Sequence, residues 1–246
     1  MRASCLAIVI VLAPAASAQD TPRAIVEKAI QAQGGADKVA KLRTMRIKAE
    51  GTTNLVPGQA DLPFTVEDVW RMPDRYKSTT TITLAGMPLT QALALVGDTG
   101  WIQFNNQTQD LPKPALDEAR EQKYAEDFDR LGFLDDKSVE LSAIGEAQVD
   151  GKPALGVLLK SKGHREVKLY FDKASGLLVK RAHPVVSPAT GMESMQEVVF
   201  GDYQEKDGVK HYRKIAAYRD GKKMFEGKVT ELEFFDKLED KVFVRP

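Results

Sequence analysis

Cysteine is almost missing from this chain: there is one among 246 residues, Cys5, near the N-terminus. Without a second thiol there is no intrachain disulfide and no thiolate metal cage, so the fold must rest on core burial and hydrogen bonding. Excess charge is missing as well, since 35 Lys and Arg balance 35 Asp and Glu. Neutrality removes the simplest basis for a nucleic-acid partner, because nonspecific phosphate binding depends on clustered basic residues. Histidines number only 3, and none has a second histidine at helical metal-site spacing. After the first residues the chain also lacks a Gly-x-Ser-x-Gly elbow, Ser-x-x-Lys, a P-loop and Gly-x-Gly-x-x-Gly, which removes the usual signatures of covalent and nucleotide-dependent catalysis. What remains is a chain with 43% hydrophobic residues, long enough for one large domain or two small ones and too apolar for disorder.

The N-terminus explains the lone cysteine. Arg2 supplies a short positive region, Leu6 to Leu12 an apolar run, and Ala16-Ser17-Ala18 the small residues that signal peptidase reads. Residues 1–18 therefore read as an export signal, cleaved after Ala18, with residues 19–246 as a single domain. The apolar run is far shorter than the roughly 20 residues that cross a bilayer. Cys5 precedes that run, whereas a lipid-acceptor cysteine follows it. Cleavage leaves a cysteine-free chain with one acidic charge in excess.

Along the remaining chain, Thr21-Pro22 can cap and begin a helix whose apolar residues Ile25, Val26, Ala29 and Ile30 recur at helical spacing up to Gly34-Gly35. A second short helix is predicted from Ala36 to about Leu42. From Thr44 the period becomes two: Met45, Ile47 and Ala49 alternate with Arg46, Lys48 and Glu50. The same alternation places Phe64, Val66, Trp70 and Met72 on one face, then Tyr76, Ile82 and Leu84, then Leu89, Leu93 and Leu95. Between Pro112 and Gly132 the stripe Leu116, Ala119, Tyr124, Phe128 and Leu131 predicts an amphipathic helix. Further strands are expected at 139–144, 154–160, 167–171, 177–182, 194–200, 209–218 and 225–235. Asp150-Gly151, Ser175-Gly176, Asp207-Gly208 and Asp220-Gly221 separate several of them, and such pairs make antiparallel hairpins.

A sheet of about ten or more strands twists and curls, and the enclosed space must be filled by helices or by a ligand. The N-terminal and mid-chain helices are available for the concave face but are few, so an incompletely filled apolar concavity is expected, with a packed interior as the alternative. Asp68 falls in alternation with Phe64, Val66 and Trp70, which would bury a carboxylate; a β-bulge turning it outward and Val69 inward is the preferred reading, a polar anchor in a cavity the other. His164, His183 and His211 read as exposed or hydrogen-bonded. Asp127 to Ser138 begins like a calcium loop but has Leu131 at position five and Ser138 where a bidentate Glu belongs, so a helix end capped by Gly132 is the better account. Trp70 and Trp101 read as core filling in preference to ligand contact.

Several segments resemble the LolA/LolB-like periplasmic lipoprotein carriers, including outer-membrane lipoprotein-sorting proteins. They are Gln33-Gly34-Gly35-Ala36-Asp37-Lys38 before a basic strand, Gly97-Asp98-Thr99-Gly100-Trp101, and Tyr170-Phe171-Asp172-Lys173-Ala174-Ser175-Gly176-Leu177-Leu178. Asp202-Tyr203-Gln204-Glu205-Lys206-Asp207-Gly208-Val209-Lys210 follows, then Lys228-Val229-Thr230-Glu231-Leu232-Glu233 with the tail Asp240-Lys241-Val242-Phe243. One departure is His211-Tyr212-Arg213, where relatives often place a proline. The resemblance implies a mainly β, α+β fold: a large curved antiparallel sheet forming an unclosed barrel, its concave face covered by the helices. It implies a non-enzymatic, cofactor-free monomer in the periplasm, at most peripheral to the outer membrane, whose partner is lipid or an acylated lipoprotein. An envelope protein partner bound by the same scaffold is the alternative. By alternation, the expected cavity-lining residues are Met45, Ile47, Phe64, Val66, Trp70, Ile82, Leu84, Leu93, Leu95 and Trp101.

Overall fold

The computed structural model describes residues 21–246, so the expected export signal, residues 1–18, lies outside the described residues. Helix α1 (Pro22–Gln33) starts as its capping chemistry predicts: the Thr21 hydroxyl accepts from the Ala24 N–H at 3.2 Å, and Pro22 opens the helix. Gly34, at φ 130°, ends it, and an added Cβ there would lie 2.2 Å from the Gly208 carbonyl, so glycine lets the helix end touch a distant hairpin. Helix α2 (Ala36–Val39) runs into a 3₁₀ turn at Ala40–Arg43. The mid-chain helix, α3, spans Lys113–Asp127.

The described residues form thirteen strands, most of them where alternation predicts, and one, Gln107–Asp110, outside the predicted segments. They are β1 (Thr44–Thr53), β2 (Leu62–Arg71), β3 (Arg75–Leu84), β4 (Met87–Val96), β5 (Thr99–Phe104) and β6 (Gln107–Asp110) before α3. After it come β7 (Glu140–Val149), β8 (Lys152–Lys160), β9 (Val167–Asp172), β10 (Leu178–Val186), β11 (Glu193–Lys206), β12 (Val209–Arg219) and β13 (Lys222–Phe234). All belong to one antiparallel sheet in which β1 pairs with β13 at the centre and β6 and β7 form the two edges, so the barrel stays open. The hairpins use the expected chemistry: Asp150-Gly151, Asp207-Gly208 and Asp220-Gly221 all have positive φ at both residues, as a type I′ turn demands. Ala85-Gly86 and Asn105-Asn106 make the same geometry without an Asp-Gly signal. At the joint between the halves Gly51 faces Gly227, and a Cβ on Gly51 would lie 2.0 Å from the Glu226 carbonyl.

Helices fill only part of the concave side. Ile25, Val26 and Ala29 of α1 are buried with Val157, Leu159, Val167, Leu169 and Phe171, since α1 packs on β7, β8 and β12 and α3 packs on β10. By contrast, every residue of β3 is only half-buried. The opposite, convex face of β2–β6 is crossed by the C-terminal segment. Arg71 donates to the Leu238 carbonyl at 2.7 Å, Lys77 to that of Val242 at 3.3 Å, and the Trp101 indole to that of Phe243 at 3.1 Å. Phe243 itself is buried.

Two local expectations are corrected. No bulge occurs at Asp68: β2 keeps an unbroken register with both β1 and β3, so Asp68 faces the concave side with Val66 and Trp70. Hydroxyls of Tyr76 and Ser78 support its carboxylate there, while Val69 is buried on the convex face beside Lys77 and the C-terminal segment. The end of α3 is not capped by Gly132 either. The left-handed residue is Leu131, at φ 54°, after a 3₁₀ turn at Phe128–Arg130, and its side chain is fully buried, so packing holds it in a conformation that a leucine alone disfavours.

Candidate functional site

The cross-strand register arranges the concave face of the first half in rows: Met45, Trp70, Tyr76 and Leu95 in one, Ile47, Asp68, Ser78 and Leu93 in the next, and Ala49, Val66 and Thr80 beyond. Between these strands and residues of β12, β13 and α3 lies a cavity of about 230 Å³. Its walls are aliphatic and aromatic at one end, where Phe64, Ile82 and Phe225 meet the half-exposed Leu55. Phe64 and Phe225 pack edge to face at 5.9 Å. The other end is polar, with Asp68, Tyr76, Ser78, Glu126 and Tyr212.

Burial dominates the electrostatics of that end. Desolvation pushes the Asp68 carboxyl from 3.8 up to about 7, with the nearby Glu126 charge adding to the rise, while hydrogen bonds from Ser78 and Tyr76 and the Arg130 charge oppose it. The Tyr76 hydroxyl donates to Asp68 at 3.2 Å. Burial likewise raises Tyr76 and Tyr212, keeping both phenols protonated as donors. Arg130 is buried with its guanidinium 4.2 Å from the centre of the Trp70 ring and donates to the Glu126 carbonyl at 2.8 Å.

Of the ten residues expected to line a cavity, Ile47, Phe64, Val66, Trp70 and Ile82 do so. Met45 and Leu95 share their face but are buried in packed rows, and Leu84 and Leu93 are half-buried on that face away from the cavity. Trp101 stands on the opposite, convex face, because the register pairs it with Ala94 and so with Lys77 and Val69. Alternation within one strand says nothing about which of two faces is concave, and Trp101 is the residue for which that mattered.

Glu126 was missed because α3 does not bury the stripe its sequence suggests. Phe128 and Leu131 are buried, but Leu116, Ala119 and Tyr124 are half-buried, while Glu118 and Lys123 are buried. Each buried charge has a partner: Glu118 accepts from Arg165 at 2.6 Å, and Lys123 donates to Asp127 at 2.5 Å and to the Pro73 carbonyl at 2.8 Å. Further along, Arg181, at 3% exposure, pairs with Asp129 from the turn after α3. Desolvation raises Asp129 to about 6 despite the two neighbouring guanidiniums of Arg181 and Arg130.

The histidines divide. His164 is exposed, stacked on Tyr124 at 3.8 Å, with Glu121 2.7 Å from its ring nitrogen. His211 is buried with a ring nitrogen on the Tyr212 carbonyl at 2.7 Å, and burial lowers it to about 4. His183 corrects the expectation: it is 3% exposed and neither ring nitrogen has a partner among the described residues. Desolvation, with Arg181, Arg165 and Arg219 nearby, holds it neutral at about 2. Among the described residues no group of three His, Cys, Asp or Glu is placed to hold a metal ion.

No protein-family model and no curated protein sequence matches the chain. Solved structures do. A LolA superfamily protein from Nitrosomonas europaea superposes with a TM-score of 0.59 at 14% identity, over 92% of this chain and 98% of that one. A DUF1329 family protein from Desulfovibrio piger gives 0.57 at 12% identity, covering 92% and 98%. A domain assigned to outer membrane lipoprotein-sorting proteins, from Vibrio parahaemolyticus, gives 0.54 at 12% identity, covering 89% and 97%. At these identities the likeness shows the fold, an open LolA-like sheet with helices on its concave side, as the resemblance in the sequence implied.

Proposed function

We propose that residues 1–18 direct export and are removed, and that residues 19–246 act as a non-enzymatic, monomeric carrier in the periplasm, peripheral to the outer membrane when it delivers its cargo. The cargo is lipid or the acyl chain of a lipoprotein, held in the cavity against Phe64, Val66, Ile82 and Phe225. One observation carries this reading: the concave side is filled by helices over β7–β12 but left unfilled over β2 and β3, where the walls are apolar. The fold supports it, since the solved structures of like fold include a protein assigned to lipoprotein sorting. Burial supplies the affinity, at about 0.8 kcal/mol per methylene removed from water. At about 230 Å³ the cavity is smaller than the ~300 Å³ at which pockets for drug-sized ligands begin, so it holds part of one chain, the rest emerging past Leu55.

Native mass spectrometry of protein gently purified from the envelope tests this. The expected spectrum carries lipid mass that Ile82→Asp removes. An apo mass alone, with no shift on adding fatty acid or lipoprotein, overturns the reading. One dominant protein partner in cell crosslinking, undisturbed by Ile82→Asp, would favour the envelope-interaction role instead.

A further inference from the structure

The cavity's polar end has the wrong sign for the head of a fatty acid. Two carboxylates, Asp68 and Glu126, line the same small space, and the cations around them are committed elsewhere. Lys123 pairs with Asp127, Arg130 lies on the Trp70 ring and donates to the Glu126 carbonyl, and Arg181 pairs with Asp129, reaching Glu126 only at 4.0 Å. The partners of Asp68 are two neutral hydroxyls, from Tyr76 and Ser78. A carboxylate half-buried among apolar side chains without a cation hydrogen-bonded to it is costly to keep. A second polar group is unused on the same wall: Trp70 is 5% exposed and its indole N–H has no partner among the described residues. Both show polar capacity that the protein's own side chains leave open.

The layout also gives a direction. Along β2 the order Trp70, Asp68, Val66, Phe64 runs from the carboxylate end to the aromatic end, and Asp68 and Phe64 are about 13 Å apart at the usual rise of a strand. Leu55, half-exposed, stands at the aromatic end. A ligand entering there would lie head inward.

We infer, on the carrier reading above, that the cavity selects an amphiphile whose polar end is a protonated amine, with the ammonium between Asp68 and Glu126 and the chain along Val66, Ile82 and Phe64 toward Leu55. The ammonium supplies the paired cation that Asp68 lacks and a closer one for Glu126, and the apolar wall takes the methylenes. A fatty carboxylate or a phosphate head would bring further negative charge beside Glu126 and Asp68, which like-charge repulsion and desolvation both oppose.

Calorimetric titration of the purified chain with dodecylammonium, dodecanol and dodecanoate at neutral pH tests this. Dodecylammonium is expected to bind at least about tenfold more tightly than dodecanoate, a difference of about 1.4 kcal/mol. Asp68→Asn should remove that preference, with a far-ultraviolet circular dichroism spectrum like that of the unsubstituted chain showing that the variant is folded. Glu126→Gln should reduce the preference in the same direction. Dodecanoate binding as tightly as the amine, or Asp68→Asn weakening all three probes alike, overturns the selection of an amine and leaves the carrier reading standing. Failure of all three probes to bind overturns the carrier reading itself, and this inference with it.

Discussion

The two halves of the concave side solve the same problem differently. Over β7–β12 the curled sheet encloses α1 and α3, and Val157, Leu159, Leu169 and Phe171 are at most 1% exposed. Over β2 and β3 the same curvature encloses a cavity, and equivalent inward residues such as Val66 and Ile82 remain half-buried. Charge divides with it: buried charges in the filled half are paired, as Arg181 is with Asp129, whereas Asp68 in the unfilled half has hydroxyls only. A helix spends its apolar stripe where it packs, so the part of the sheet it does not reach is either collapsed or available. Here it is available, and the lining chemistry of that part becomes the binding question.

The contrast can be broken, beginning with the largest effect. Arg181→Ala takes from Asp129 its hydrogen-bonded cation, leaving only the Arg130 charge nearby, and should cost about 3–5 kcal/mol, measured by urea unfolding, whereas Glu126→Gln at the cavity should cost less than about 1 kcal/mol. Next, Leu169→Ala should cost about 2–5 kcal/mol, while Ile82→Ala, beside a space already unfilled, should cost less than half as much. Equal losses would mean that the cavity side is packed as tightly as the other.

The two halves also carry opposite pH signs. In the folded chain Asp68 titrates at about 7 instead of 3.8, so between those values the folded state holds a proton that the unfolded state has released, and this group's stability contribution falls as pH rises through that window. His183 titrates at about 2 instead of 6.5, so the folded state lacks a proton that the unfolded state binds, and stability falls as pH drops below 6.5. Urea unfolding across this range should show Asp68→Asn steepening the loss on acidification and His183→Leu flattening it. The smallest expected effect belongs to the same histidine at neutral pH: His183→Leu removes two unpartnered buried nitrogens and should leave stability unchanged or raise it by about 1 kcal/mol.

Much of the fold was legible in short-range chemistry. Thr21-Pro22 and Gly34 bound α1, and Asp150-Gly151, Asp207-Gly208 and Asp220-Gly221 turn where their residue types require positive φ. Half of the lining set was legible as well, because Phe64, Val66 and Trp70 share a face by strand periodicity alone. What escaped was information that no single segment contains. Trp101 obeys alternation but lies on the convex face, and Val69 is buried on that same face, where Arg71 and Lys77 bond a C-terminal segment more than a hundred residues away in sequence. Glu126 read as the solvated side of a helix, yet α3 turns that side toward the cavity because Lys123, Glu118 and Arg130 find partners on neighbouring elements.

Local sequence by itself determined the strands, their hairpins, the antiparallel order and the surplus of sheet over helix, since propensity, turn chemistry and hydrophobic period act within a few residues. Tertiary structure decided which face is concave, where the helices run out, and that Asp68 lines the cavity with hydroxyls as its hydrogen-bond partners. Those depend on the curl of the whole sheet and on which distant side chains fill it, because burial is a property of the assembled surface and not of any stretch of chain.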